Sequence, residues 1–562
     1  MINKKKIFNK NLIIGLSICL LITTLGLFSY FSSSINVGHD LVFHLNRIIG
    51  LSKAFEEGQI LPKIYPYSNN GFGYASPLFY CDIFLYPFAI MYHFGLSAVL
   101  CFKLCVFIYT LLGNLFVYFI INKETKRIDL SIIAATLYFT CNYHLQNIFI
   151  RSALGEVLAM SFIPLILHSI YKILIKKENC WIYLGISFSL LVMAHPITTF
   201  IYGLFFFVMI IIFIILNRKD KTIIFNTFKT ILKGTLLAIL LTAWYLIPML
   251  EQFSSQQFLV NIDSKYTNIT AKIGILNISD ILYLFGYDFI PSTGLTILLL
   301  GLVSIFMKDK YIKIIDIYCI VMFLMMLGII PMKYLEVVQF YFRLYIIIFP
   351  LLCVSSICLL NKLNNKKIVN CLVVILLCFG LASIVTINIG ALKDDDKRLD
   401  NIASQDTINN TYKSDVYYNL NELSGGEYLP YTEKSDYNND SLAIKNDDEY
   451  GRLYDYIYEY DRDFTCITFT CDNSKAINLY LPLSWYKGYK GYELINGKWE
   501  EINIYQDSIY KEIMIKSEVG KHTYMVKYVG TFVQYSSLVV SSVATVCLIL
   551  YQIKKRKNIG IV

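Results

Sequence analysis

Charge is what this sequence has least of. Asp, Glu, Lys and Arg make up only 16% of its 562 residues, against roughly a quarter in soluble domains. That scarcity excludes an ordinary water-soluble chain. With 56% hydrophobic residues and a mean hydropathy of +0.53, it points to a polytopic membrane protein. Zinc-type Cys-x2-Cys pairs are also missing. Most of the 14 cysteines, such as Cys19, Cys101, Cys105, Cys353 and Cys378, lie inside apolar runs as small hydrophobes. No Walker A loop, dinucleotide fingerprint, HExxH helix or catalytic-serine elbow is present. Chemistry driven directly by a nucleotide is therefore not expected.

A formal charge of +9 would suggest nucleic acid on a soluble protein. Here the Lys and Arg residues fall in short clusters between apolar runs, so the positive-inside rule accounts for most of them and no nucleic-acid partner is expected. Lys4 to Lys6 precede the first run, which is too long for a signal-peptide core. Further runs lie near 98–121, 128–148, 153–175, 180–196, 197–217, 230–250, 293–307, 312–330, 341–361, 368–390 and 532–552. Each is long enough, or nearly so, to span a bilayer. The expected architecture is an all-α membrane protein of about twelve spans. Basic loops at 123–127, 172–177, 218–221, 308–313, 362–367 and 554–557 all fall on one side under that count. This predicts a multi-pass plasma-membrane protein with both termini cytoplasmic.

The same count puts the opposite groups outside. These are a large first loop at 32–96, the 143–152 turn, the His195 turn, segments 251–292 and 331–340, and a long segment at 391–531. The expected domains are thus 1–390, a multi-span membrane domain; 391–531, an extracytoplasmic domain; and 532–562, a terminal anchor with a basic tail. Segment 391–531 is acidic and rich in Tyr, Asn and Asp. It has turn signals at Gly425-Gly426 and Asn496-Gly497. Alternating runs at 464–469, 476–481 and 511–515 predict strands, hence a β-rich domain before the last span. Cys466 and Cys471 fall on opposite faces of one such strand and are not expected to pair. Residues 78–95 are apolar but contain Asp82, Pro87 and His93, which suits a re-entrant or interfacial segment as well as a span.

The polar groups at the outer span ends are the candidates for chemistry. Gly38-His39-Asp40 to His44 and Arg47 comes first. Read as a helix, it puts Asp40, His44 and Arg47 on one face. Asp40 is read as a general base, with a divalent metal ion held by Asp40 and His44 as the other role and a solvated helix cap as the plain alternative. Arg151 and Glu156 stand at the mouth of another span, where an interfacial anchor and a local ion pair would look the same. His195 sits between two runs beside Pro196. Gln339 and Arg343 open a span behind aromatics, and a guanidinium fork there suits a phosphate; snorkelling is the alternative. An external site lacks cytosolic nucleotides, so a membrane-delivered activated substrate such as a polyprenyl-phosphate-linked sugar would fit.

Several of these motifs share an order with a known group. Gly38-His39-Asp40 is followed by Leu61-Pro62, Gly71-Phe72-Gly73-Tyr74 and Pro77. Arg151 to Glu156, Ala194-His195-Pro196, Gln339-Phe340 with Arg343, Gly425 to Pro430 and Leu481-Pro482 to Tyr489 come after them. The chain resembles bacterial integral membrane proteins of the pyruvoyl-tetrahydropterin synthase-related type and their YfhO-like relatives, which are similar to GT-C glycosyltransferases. No pterin chemistry is visible. The resemblance implies a GT-C-like fold and an inverting transfer from a polyprenyl-phosphate sugar to an extracytoplasmic acceptor, whether cell-envelope polymer, lipid or protein. It implies Asp40 as the base and Arg343, with Arg151, as holders of the donor phosphate. His39, His44, Arg47, Glu156, His195 and Gln339 complete the expected substrate site, and membrane lipids are expected partners. The aromatic loop at 65–77 would exclude water. A transporter or flippase of a lipid-linked sugar, or an inactive scaffold for the 391–531 domain, are the readings from other classes.

Overall fold

In lipid an apolar run must satisfy its backbone within itself, so it becomes a helix. A computed structural model describes residues 2–69, 71–261, 309–330, 336–363, 366–393, 398–404, 407–408, 426–431, 460–508 and 511–558. Its helices are α1 (Ile2–Gly26), α2 (Leu41–Glu56), α3 (Ser76–Phe79), α4 (Tyr86–His93), α5 (Ala98–Thr125), α6 (Ile128–Phe139), α7 (Asn142–Phe149) and α8 (Leu154–Ile170). They continue with α9 (Trp181–Ala194), α10 (Pro196–Leu216), α11 (Lys221–Ser255), α12 (Lys310–Met326), α13 (Tyr345–Lys362), α14 (Lys366–Lys393) and α15 (Phe532–Asn558). Among the described residues seven helical segments are long and apolar enough to cross a membrane: 98–125, 154–175, 196–216, 221–255, 341–362, 367–393 and 532–556. Shorter apolar helices cover 11–26, 128–139 and 181–194. The expected run at 293–307 lies outside the described residues.

One expectation changes here, and one alternative left open by the sequence is decided. The run at 128–148 is not one helix. It breaks at Thr140-Cys141 into α6 and α7, where the Cys141 sulfur takes the N-cap position and accepts from the His144 N–H. The 78–95 segment holds only the short helices α3 and α4. Eight residues of α4 rise about 12 Å, far short of a bilayer. Asp82 and Pro87 explain the interruption: one carries charge, and the other sits in the first turn of α4, where its missing N–H is harmless.

The chain divides into two compact units. The first comprises 1–41, 99–239 and 263–403; the second comprises 42–98, 240–262 and 404–562. In the first unit the helices approach closely where small residues allow it. A side-chain carbon on Gly113 of α5 would sit 3.0 Å from the Ser161 backbone of α8, the close packing that membrane helices favour. Strand β1 (Ser34–Asn36) pairs antiparallel with β2 (Arg398–Asp400). Lys103 at the start of α5 ties down that ribbon. Its ammonium donates to the Ser32 and Ser34 carbonyls at 3.0 Å each and to Asn401 Oδ1 at 2.7 Å.

The second unit contains the β-rich part. Strands β3 (Asp461–Asp463), β4 (Cys466–Asn473), β5 (Ile477–Ser484), β6 (Tyr489–Ile495), β7 (Lys498–Ile502), β8 (Tyr505–Gln506), β9 (Glu512–Ser517) and β10 (Gly520–Tyr528) form two sheets. The orders are β3-β4-β10-β6-β7 and β5-β9-β8. Alternating side chains build one core from Ile467, Phe469, Leu479, Leu481, Ile513 and Val526. The predicted strands at 464–469, 476–481 and 511–515 are observed as β4, β5 and β9, each starting within two residues of the expected place and running two to four residues further, and Cys466 and Cys471 are free thiols. The aromatic loop of 61–77 belongs to this unit. Arg462 donates to the Gly71, Pro66 and Pro482 carbonyls at 2.5, 3.2 and 3.2 Å, so the loop is held by the β-rich part.

One ion pair on the larger sheet makes stability depend on pH. His522 Nδ1 donates to Glu493 Oε1 at 2.6 Å, and that bond raises the imidazole pKa. The unfolded value is near 6.5. The stabilisation is therefore full below about pH 6.5 and fades as pH climbs through the folded value. Thermal unfolding of the β-rich part should shift downward across that window, and E493Q should flatten the profile.

Candidate functional site

Glu156 is the centre of the best-built polar site. It lies in the first turn of α8, where a carboxylate suits the positive end of the helix dipole. It is 1% exposed, and a charge so buried must be compensated. Two arginines from distant parts of the sequence do this. Arg151 Nη1 donates to Oε1 at 2.9 Å, and Arg343 Nε donates to the same oxygen at 3.0 Å. The other oxygen accepts from the Tyr143 hydroxyl and from Asn147 Nδ2 at 3.3 Å. Four donors thus converge on one carboxylate.

Each guanidinium is also fixed from behind. Arg151 Nη1 donates to Asn147 Oδ1 at 2.7 Å. Arg343 Nη1 donates to the Val338 carbonyl at 2.9 Å and to Gln339 Oε1 at 2.6 Å. Arg151 lies over the Phe342 ring at 5.3 Å and Arg343 over Phe340 at 5.2 Å; the two rings stack at 5.1 Å. Stacking suits guanidinium better than ammonium. Burial works against the charge of Arg151, but Glu156, Tyr143 and Asp40 outweigh it and raise its pKa. Arg343 Nη2 and the Nε and Nη2 groups of Arg151 make no hydrogen bond among the described residues.

The backbone around the cluster is strained. Ser152 (φ 51°) and Gln339 (φ 67°) both adopt left-handed conformations without being glycine, at about 1–3 kcal/mol each. Gly38 is required by contact. A side-chain carbon there would come within 2.8 Å of the Ile150 carbonyl. That approach lets the Asp40 N–H donate to the Arg151 carbonyl at 2.8 Å and the His39 N–H to the Ile150 carbonyl at 3.3 Å.

The first unit therefore brings together Arg151, Glu156, Gln339 and Arg343, with half-buried Asp40 in electrostatic reach of Arg151. His195 is in electrostatic reach of Glu156. Its Nδ1 accepts from the Thr198 N–H at 3.3 Å and meets the Thr198 hydroxyl at 2.7 Å. An accepting Nδ1 places the ring proton on Nε2. His39 is exposed.

Asp40 does not share a helix face with His44 and Arg47. The helix begins at Leu41, leaving Asp40 in the preceding turn, and His44 and Arg47 belong to the second unit. There Arg47 is committed to Asp82, with Nε at 2.8 Å and Nη2 at 2.5 Å from Oδ1. Arg47 Nη1 donates to His44 Nδ1 at 3.1 Å, and Tyr65 caps the other Asp82 oxygen at 2.6 Å. This reads as the framework of the first loop. Among the described residues no group of three His, Cys, Asp or Glu side chains is arranged to hold a metal ion.

A second feature lies on the helices that carry the cluster. A cavity of about 430 Å³ is lined by apolar side chains of α5, α8, α10, α12 and α13, including Val117, Pro164, Phe205 and Leu351. Glu124, His168, Asp309 and Lys362 also line it. His168 is twelve residues beyond Glu156 on α8, or about 18 Å along the axis.

Sequence reasoning missed Tyr143, Asn147 and Asp82. The first two left a signal: polar side chains four apart, on one helical face, inside an apolar run. Asp82 was visible as a charge in an apolar segment, but its partner was not.

Among the described residues, seven membrane-length apolar helices and a buried charge cluster define a membrane protein with a polar site built at its helix ends. Residues 79–391, more than half of the chain, match the family of the 6-pyruvoyl-tetrahydropterin synthase related domain, membrane protein. The chain belongs to that family. A protein of Lactococcus lactis subsp. cremoris (strain MG1363), described as uncharacterized, is 28% identical over 247 residues, 42% of this chain and 39% of the relative. The aligned part thus spans about two-fifths of that relative's length.

Proposed function

We propose that the protein is a membrane glycosyltransferase that moves a sugar from a polyprenyl-phosphate donor to an extracytoplasmic acceptor, on a GT-C-like arrangement of spans with both termini in the cytoplasm. One observation carries the reading. Two arginines are locked to a single buried carboxylate, and both keep guanidinium N–H groups that a phosphate could take up. The 430 Å³ apolar cavity on the same helices suits a lipid tail.

In this reading the acceptor hydroxyl attacks the anomeric carbon while the bond from that carbon to the phosphate oxygen breaks. Asp40 takes the hydroxyl proton. The leaving phosphate keeps the bonding electrons, and Arg343 and Arg151 stabilise its charge. Inversion at the anomeric carbon follows from the single displacement. Glu156 takes no proton; it aims the two arginines.

Purified protein incubated with labelled polyprenyl-phosphate hexoses should release polyprenyl phosphate as sugar is transferred. Lipid movement across liposomes without release would make the protein a flippase. Neither release nor movement would leave the scaffold reading. Arg343→Gln removes the fork and should weaken binding of polyprenyl phosphate by about tenfold or more, in line with 1.5–3 kcal/mol for a charged hydrogen bond. Microscale binding of the labelled lipid in nanodiscs checks it.

A further inference from the structure

α7 is eight residues long and every one of them is buried. Five of the eight are polar: Asn142, Tyr143, His144, Gln146 and Asn147. At about 100° per residue, with Asn142 at zero, Gln146 falls near 40°, Tyr143 near 100°, Asn147 near 140° and His144 near 200°. The apolar Ile148, Leu145 and Phe149 occupy the remaining arc, near 240°, 300° and 340°. The polar arc is thus continuous. Its middle, Tyr143 and Asn147, is the part that binds Glu156.

The flanks of the arc are built differently. Gln146 is 2% exposed, and neither its Nε2 nor its Oε1 has a hydrogen-bond partner among the described residues. His144 is also 2% exposed, and neither ring nitrogen has one. The His144 ring meets the edges of Tyr138 and Phe139 at 6.4 and 5.8 Å, contacts that satisfy no nitrogen. Leaving four such atoms unpaired costs about 1–3 kcal/mol per group. Leu and Phe would pack in those places without that cost. Buried groups left unpaired in this way call for a partner that the protein does not itself supply.

We infer that the polar arc of α7 is the neutral half of the Glu156 site, with Gln146 and His144 at its two edges, about 160° apart around the helix, each reading hydroxyl groups of an uncharged, polyhydroxylated ligand moiety, a glycosyl group. The inference rests on the donor reading above and deepens it: the arginines hold the phosphate, and α7 holds the glycosyl group. An amide that can donate and accept at one edge, and an imidazole that can do both at the other, match hydroxyls, which also do both. Neither residue is suited to an anion by charge, and the charged neighbours already divide that task.

The test compares two lipids on the full chain in phosphatidylethanolamine–phosphatidylglycerol nanodiscs. One is polyprenyl monophosphate without a sugar; the other is a panel of its mannosyl, glucosyl and galactosyl forms. The wild type should bind at least one glycosylated form about tenfold tighter than the bare lipid. Gln146→Leu and His144→Phe should each erase that preference while leaving bare-lipid affinity and thermal stability no lower than in the wild type. Retained preference in both variants overturns the inference, as does an equal loss of affinity for both lipids. If the wild type binds no phosphate lipid, the donor reading fails, and methyl hexosides then decide the inference alone. Stabilisation of the wild type but not of the variants by one of them upholds it; stabilisation of neither overturns it.

Discussion

Glu156→Gln is expected to cost the first unit about 3–5 kcal/mol of stability, the usual result of removing one partner from a buried ion pair. The geometry shows why the loss should fall at the high end. Four donors meet the two carboxylate oxygens: Arg151 Nη1, Arg343 Nε, Tyr143 Oη and Asn147 Nδ2. A glutamine side chain has one acceptor oxygen and one donor nitrogen. With its NH2 in place of Oε1 it faces two guanidinium donors; with its NH2 in place of Oε2 it still faces Asn147 Nδ2, and the Tyr143 hydroxyl must turn round to accept. Asn147 cannot rotate to help, because its oxygen is held by Arg151 at 2.7 Å. The two guanidinium charges are also left without their anion, in a place that is 7% and 5% exposed. Thermal unfolding in detergent should show the drop. An added anion should partly reverse it, so inorganic phosphate or polyprenyl phosphate should raise the melting temperature of the variant more than that of the wild type. Wild-type stability in the variant would mean that the cluster is not the anchor described here. A destabilised variant indifferent to phosphate would mean that the arginines do not take one up.

The cluster was only half legible from the sequence. Arg151, Glu156 and Arg343 stand out because each is a charge at the end of an apolar run, where packing alone gives no reason to keep it. Which of them meet was not readable. The Arg343–Glu156 pair closes 187 residues of chain, and no local pattern encodes a contact of that length. The nearer misses have local causes. Asp40 to Arg47 does follow helical spacing, yet the helix starts one residue after Asp40. The pattern was sound, but a helix boundary is the least certain feature of a sequence reading. Arg47 reads as a substrate ligand only through the face it would share with Asp40; its partner is Asp82, 35 residues away. The run at 128–148 passed for one span on its average hydropathy. Thr140-Cys141-Asn142 was the mark of the break, since short side chains that bond their own backbone favour caps over helix interiors. The strands of the β-rich part were easier. Strict alternation against a single core leaves little freedom in which face points inward.

Asp40→Asn is the change expected to act most strongly on turnover while sparing the fold. Asp40 contributes to the framework through its backbone, whose N–H donates to the Arg151 carbonyl at 2.8 Å, and asparagine keeps that bond. The side chain is half-buried, asparagine matches it in size, and Arg151 keeps its direct bond to Glu156. The chemistry loses more. An amide cannot take the acceptor proton, and removal of a positioned base costs roughly 10²–10⁴-fold in rate. Turnover of labelled polyprenyl-phosphate sugar should fall by that factor. Affinity for the donor should stay within about twofold, because the phosphate is held by the arginines. Raising the pH should not restore the variant, whereas a more acidic acceptor hydroxyl should recover part of the rate, since it needs less help to lose its proton. Turnover at the wild-type rate would remove Asp40 from the mechanism and return the search for a base to the remaining groups around Glu156. Loss of donor affinity in step with rate would instead make Asp40 part of the phosphate site, acting through its neighbour Arg151.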